Sequence, residues 1–117
     1  MVEKIFRQMA RTDLGDIEHL VLLAILRLGR DAYGIPILDE VSARSGREVS
    51  RATVYVALKR LEQKGLVASR LGESTPERGG RAKRFFKLKS TGLKALRESR
   101  EMFLNLWRDY ETVLDRA

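Results

Sequence analysis

Apolar side chains recur every three or four positions through much of this chain, and the breaks in that rhythm mark its elements. In "DIEHLVLLAILRLG", Ile17, Leu20, Val21, Ala24 and Leu28 keep helical spacing. Asp16 is the expected N-cap, Glu18 suits the positive end of the helix dipole, and Gly29 closes the helix. The helix is apolar around much of its circumference, which predicts a central position. "AYGIPILDEVSARSG" predicts a second helix. Proline is tolerated only in the first turn, so Pro36 sets the start near Gly34. Ile37, Leu38 and Val41 form its inward stripe, Gly46 ends it, and "REV" is a short extended connector.

The third helix, residues 50–64, begins at Ser50 as N-cap. Val54, Ala57, Leu58 and Leu61 face one way, Gly65 stops the helix, and Leu66 folds back on its last turn. "LVASRL" and "KRFFKLK" have strand character, and "GESTPERGGRA" between them is dense in turn residues. Together they predict a β-hairpin with a long loop. Ser90 is the expected cap of a last helix running to about Leu114. Its apolar positions Leu93, Leu96, Phe103, Trp107, Tyr110 and Leu114 step by three and four, with Arg100 intruding, which makes a heptad seam. The fold class is mainly α with a small β-hairpin. Residues 1–15 form an arm or short helix, 16–89 a winged helix-turn-helix unit, and 90–117 a helix suited to pairing with a second chain.

Charge sharpens this picture. The 117 residues carry a formal charge of +7, with 33% charged side chains. The excess is local: residues 70–89 hold Arg70, Arg78, Arg81, Lys83, Arg84, Lys87 and Lys89 against Glu73 and Glu77. A basic balance of this kind points to nucleic acid, an anionic surface or an acidic protein. With no cysteine and a single histidine, disulfides, thiolate zinc and histidine metal clusters are excluded. No stretch approaches the ~20 apolar residues of a membrane span. The expectation is a soluble intracellular protein, cytoplasmic and associated with the nucleoid, without a cofactor.

A helix that enters a DNA major groove needs one face in the core and another presenting donors to phosphates and base edges. With 54, 58 and 61 inward, residues 51, 52, 55, 56 and 59 face out. Arg51, Tyr55 and Lys59 are donors there, Arg60 adds charge, and Ala52 lets the backbone approach. Ser50, Thr53 and the first-turn N–H groups suit phosphate. The loop "PERGGRAKR", residues 76–84, sets Arg78, Arg81, Lys83 and Arg84 around two glycines. Gly80 lets the tip come close to another backbone, and the cations suit phosphates or a narrow minor groove. The plain alternatives are a solvated helix face and a basic turn. His19 stands alone on an apolar helix and reads as structural. Asp39 and Glu40 are adjacent and do not face each other. There is no P-loop spacing and no nucleophile with a matching base, so no catalytic residue is assigned.

The stretches "AYGIPILDEV", "VSRATVYVALKRLEQKGLV", "ERGGRAKRFFKL" and "STGLKAL" together resemble the PadR family of bacterial transcriptional regulators. The resemblance implies that the third helix is the recognition helix, with Thr53 to Tyr55 at the DNA face, and that the glycine-arginine loop is the wing. It also implies a homodimer through the last helix, with repression as the common mode of action. Some short members bind aromatic or cationic small molecules between those helices, which would set Phe103 and Trp107 against an effector; the simpler reading buries Trp107 in the dimer interface. One departure is visible: Phe85 and Phe86 stand where the family often has two tyrosines. Three rival readings remain. They are a winged-helix protein-interaction module with an acidic partner, an enzyme acting on an anion, and a non-specific DNA-packaging protein.

Overall fold

A computed structural model describes residues 14–72 and 82–117. Helix α1, Asp16–Leu28, starts after Gly15, whose extended backbone makes it the N-cap. Asp16 is therefore the first helical residue and not the cap expected from sequence. Its carboxylate still meets the positive end of the helix. Gly29 closes α1 with a positive φ, and a 3-10 turn, Gly29–Asp31, leads into α2, Gly34–Ser45. Gly46 ends α2 in the left-handed conformation that glycine adopts without strain. Ile37 and Val41 are buried as expected, while Leu38 is only partly so.

Helix α3, Arg51–Gln63, is bounded by strong signals at both ends. The Ser50 hydroxyl accepts the Thr53 backbone N–H at 3.1 Å. At the other end Leu66 donates to the Leu61 carbonyl and Gly65 to that of Glu62. This double closure needs a left-handed residue, and Gly65 has φ +73°. Strands β1, Val67–Leu71, and β2, Arg84–Leu88, pair antiparallel with Val67 opposite Leu88 and Leu71 opposite Arg84. Tyr33 adds an isolated bridge to Phe85 on the free side of β2.

Helix α1 is central, as its circumference predicts: Val21, Leu22, Ala24 and Ile25 are buried, and α2, α3, α4 and β2 all pack on it. Val54, Ala57, Leu58 and Leu61 of α3 are all buried in the same core, with Val67 and Phe86 closing it from the sheet. This is a winged helix-turn-helix arrangement of mainly helical elements with one hairpin.

Helix α4, Ser90–Trp107, follows Lys89 as N-cap. Ser90, the predicted cap, is thus the first helical residue, again one position beyond the observed cap. The helix does not reach Leu114. It stops at Arg108; Asp109 takes φ +70°, and a separate short helix α5, Glu111–Arg116, follows. Aspartate is among the few non-glycine residues that tolerate this conformation. The heptad rhythm therefore continues through the sequence but not through one helix, and Tyr110 and Leu114 leave the seam of Leu93, Leu96, Phe103 and Trp107.

Gly92 lets α4 close on the hairpin. A Cβ built there would overlap the Leu66 carbonyl oxygen and stand 3.3 Å from Leu88 Cδ2. The obstructing atom is backbone and cannot swing away. Gly92→Ala is expected to cost about 1–3 kcal/mol through overpacking, read as an earlier denaturation midpoint in urea. An unchanged midpoint would show that α4 and the β1 entry are not packed this tightly.

Candidate nucleic-acid interface

Burying one stripe of α3 fixes what the other side presents. Arg51, Thr53, Tyr55, Lys59 and Arg60 are all exposed, and among the described residues none of the three cations is held by a carboxylate. Ser50 and Thr53 hydroxyls lie 2.8 Å apart, so one hydroxyl hydrogen is used between them and the other is left for an incoming acceptor. Tyr55 leans on the start of α2: a Cβ at Gly34 would come within 2.7 Å of its hydroxyl oxygen. The ring is thus steadied by a glycine and remains 49% exposed. At the far end of α3, Lys64 Nζ donates to the buried Glu18 carboxylate at 2.6 Å. That bond ties the end of α3 to the first turn of α1.

The hairpin base holds an alternating stack. Lys83 Nζ sits 3.8 Å above the Tyr33 ring, Tyr33 meets Phe85 edge-on at 5.5 Å, and the Arg70 guanidinium lies 5.1 Å from the Phe85 centroid. Cations over aromatic faces are attracted by the ring quadrupole. Arg84 donates from Nη1 to the Ser69 hydroxyl at 3.0 Å, and Ser69 in turn donates to Glu62. The sequence places Lys83 and Arg84 among the basic residues of the wing loop. The structure places them at the base of the wing, partly engaged in holding its strands to α2 and α3. Arg78, Gly80 and Arg81 fall outside the described residues.

Sequence reasoning missed the part played by Tyr33. It stands in "AYG", which reads only as a lead-in to α2. The signal was the run of ring and cation types in "KRFF", which needs a partner ring that sequence spacing alone cannot supply. The stack accounts for Phe85 and the core for Phe86. Phe86 is buried in the core and Phe85 uses its ring faces, so neither position calls for a hydroxyl here.

Beyond Ser99 the C-terminal helices bury nothing fully. Phe103, Leu104 and Trp107 form one wall of a groove of about 580 Å³, with His19, Leu23 and Leu26 of α1 opposite. Arg97 and Arg100 also line it. His19 lies within 3.5 Å of the buried Ser99 hydroxyl and faces the Phe103 ring. Burial holds its imidazole below the usual range against the pull of Asp16, which favours the neutral ring. Of the predicted pairing residues, Leu96 is buried within the subunit, Leu93 partly so, and Phe103, Trp107, Tyr110 and Leu114 are exposed. Among the described residues no group of histidine, cysteine and carboxylate side chains is placed to hold a metal, and no helix is long and apolar enough to cross a membrane.

The family model for PadR-like transcriptional regulators matches residues 22–98. An uncharacterized protein of Lysinibacillus sphaericus is 28% identical over 111 residues, 92% of this chain and 94% of its own. A PadR-like transcription factor from Bacteroides fragilis, solved by X-ray, superposes with a TM-score of 0.66 at 25% identity, covering 99% of this chain and 98% of its own. A PadR family regulator from Eggerthella lenta gives a TM-score of 0.64 at 27% identity, over 84% of this chain and 83% of its own.

Proposed function

Because the chain belongs to the PadR-like family of transcriptional regulators, we propose that it is a homodimeric repressor reading a pseudo-palindromic operator in double-stranded DNA. Each subunit lays α3 in a major groove and its wing, residues 76–84, on the neighbouring backbone or minor groove. The observation that carries this reading is the outer face of α3. Arg51, Tyr55 and Lys59 are exposed on a helix whose other side is locked into the core.

In this account Ser50, Thr53 and Arg60 position the helix on phosphates, and Arg51 and Lys59 reach guanine edges. Arg78 and Arg81, with Gly80 between them, contact backbone at the wing tip. Lys83 and Arg84 contribute field and wing geometry more than direct contact, since both have partners within the subunit. Residues 16–89 act as the reading unit and 90–117 as the pairing unit.

The dimer is supported by the exposed apolar side chains of Phe103, Leu104, Leu106 and Trp107 at the end of α4. A second copy of α4 is the natural cover for such a seam. The same seam is where an effector would enter, stacking on Trp107 and Phe103. Arg97 and Arg100 in that groove oppose a cationic ligand, so an aromatic one without positive charge fits this chain better. A protein-interaction module would place its acidic partner on the same outer face of α3. Against it stands the pairing of an uncommitted donor set on α3 with a cationic hairpin. Footprinting on DNA beside the protein's own gene, with random duplex as competitor at physiological salt, separates the two readings.

A further inference from the structure

The outermost line of α3 is apolar over its first two turns. At about 100° per residue, Ala52 and Val56 stand close to the direction opposite Val54, Leu58 and Leu61. They are one turn apart on the same ridge. Both are exposed, Val56 with 49% of its surface open, and both border a cleft against Gly15 and Asp16 at the start of α1. Arg51 and Tyr55 flank the ridge on one side, Thr53 and Arg60 on the other. A β-branched valine at this half-exposed helix position gains only part of its packing within the subunit and loses rotamer freedom. It contributes nothing to phosphate binding.

In the major groove one base-edge group is apolar, the C5-methyl of thymine, and small apolar side chains are its complement. We infer that Ala52 and Val56 are specificity-determining residues that pack against thymine methyl groups in each half-site. This rests on the DNA-reading role of α3. The polar flanks hold the helix by phosphates and base edges, and the apolar ridge between them presses on the groove floor. Ala52 is short enough to let the helix start approach closely, and Val56 reaches one turn further along the same strand. The operator is therefore thymine-bearing at defined positions, and part of its recognition is insensitive to salt.

The test uses the full-length protein and the operator defined by footprinting. Each thymine is replaced singly by deoxyuridine, which lacks only the methyl group. Wild-type affinity is expected to drop about three- to fivefold at one or two positions per half-site, the worth of one methyl group removed from water. Val56→Ala, checked for an unchanged unfolding midpoint, is expected to bind the thymine operator more weakly and to become indifferent to uridine at one of those positions. Wild-type binding that is equal at every uridine overturns the inference. So does a Val56→Ala protein that keeps the full methyl dependence. Failure of the unmodified operator to outcompete random duplex removes the DNA-reading role itself, and the inference with it.

Discussion

Operator affinity is expected to fall about 10³-fold or more when salt rises from ~50 to 200 mM. Arg51, Lys59 and Arg60 are exposed and among the described residues have no carboxylate partner. The wing sequence adds Arg78 and Arg81. If each subunit neutralises about three phosphates, a dimer releases about six counterions, and the plot of log affinity against log salt has a slope of about −5 or steeper. Fluorescence anisotropy with a labelled operator reads this directly. The engaged cations refine the expectation. Lys83 over Tyr33 and Arg84 on Ser69 count for less than the total charge of the hairpin suggests. A slope near zero would mean that the basic surface does not meet a polyanion.

Removing both proposed reading donors, Arg51→Ala with Lys59→Ala, is expected to cost about 2–6 kcal/mol of specific affinity, from ~1–3 kcal/mol for each base-directed contact. Random-duplex binding falls less, because base contacts carry the discrimination and phosphate contacts do not. The fold is untouched: both side chains are exposed and neither caps nor packs the helix. Surface changes of this kind shift stability by no more than about 0.5 kcal/mol. The measurement pairs operator and random-duplex affinities with a denaturation midpoint. Equal losses on both duplexes would reassign these residues to phosphate.

The inward-facing architecture was legible in the residues because each signal had one physical meaning. Gly46 and Gly65 mark left-handed helix ends, Ser50 offers an acceptor to an orphan N–H, and Val54, Ala57, Leu58 and Leu61 can share only one face. The errors fell where a residue type serves two adjacent positions. Asp16 and Ser90 suit either the cap or the first turn, and in both places the preceding residue, Gly15 or Lys89, holds the cap geometry. The break at Arg108–Tyr110 was hidden because periodicity reports spacing and says nothing of a left-handed Asp109. The outer face of α3 was legible for the same reason as its inner one. The hairpin cations were less so, because what a charge touches depends on residues far away in sequence, as Tyr33 beneath Lys83 illustrates.

The central claim is that two copies of the outer face of α3 read one double helix. Hydroxyl-radical footprinting of DNA beside the protein's own gene, with wild type and the Arg51→Ala, Lys59→Ala double variant, addresses it most directly. The account predicts two protected patches related by a dyad on one side of the duplex, about 10–10.5 base pairs apart or a multiple of that, and their loss in the variant. Protection spread evenly along random sequence, or a pattern the variant leaves intact, would contradict it.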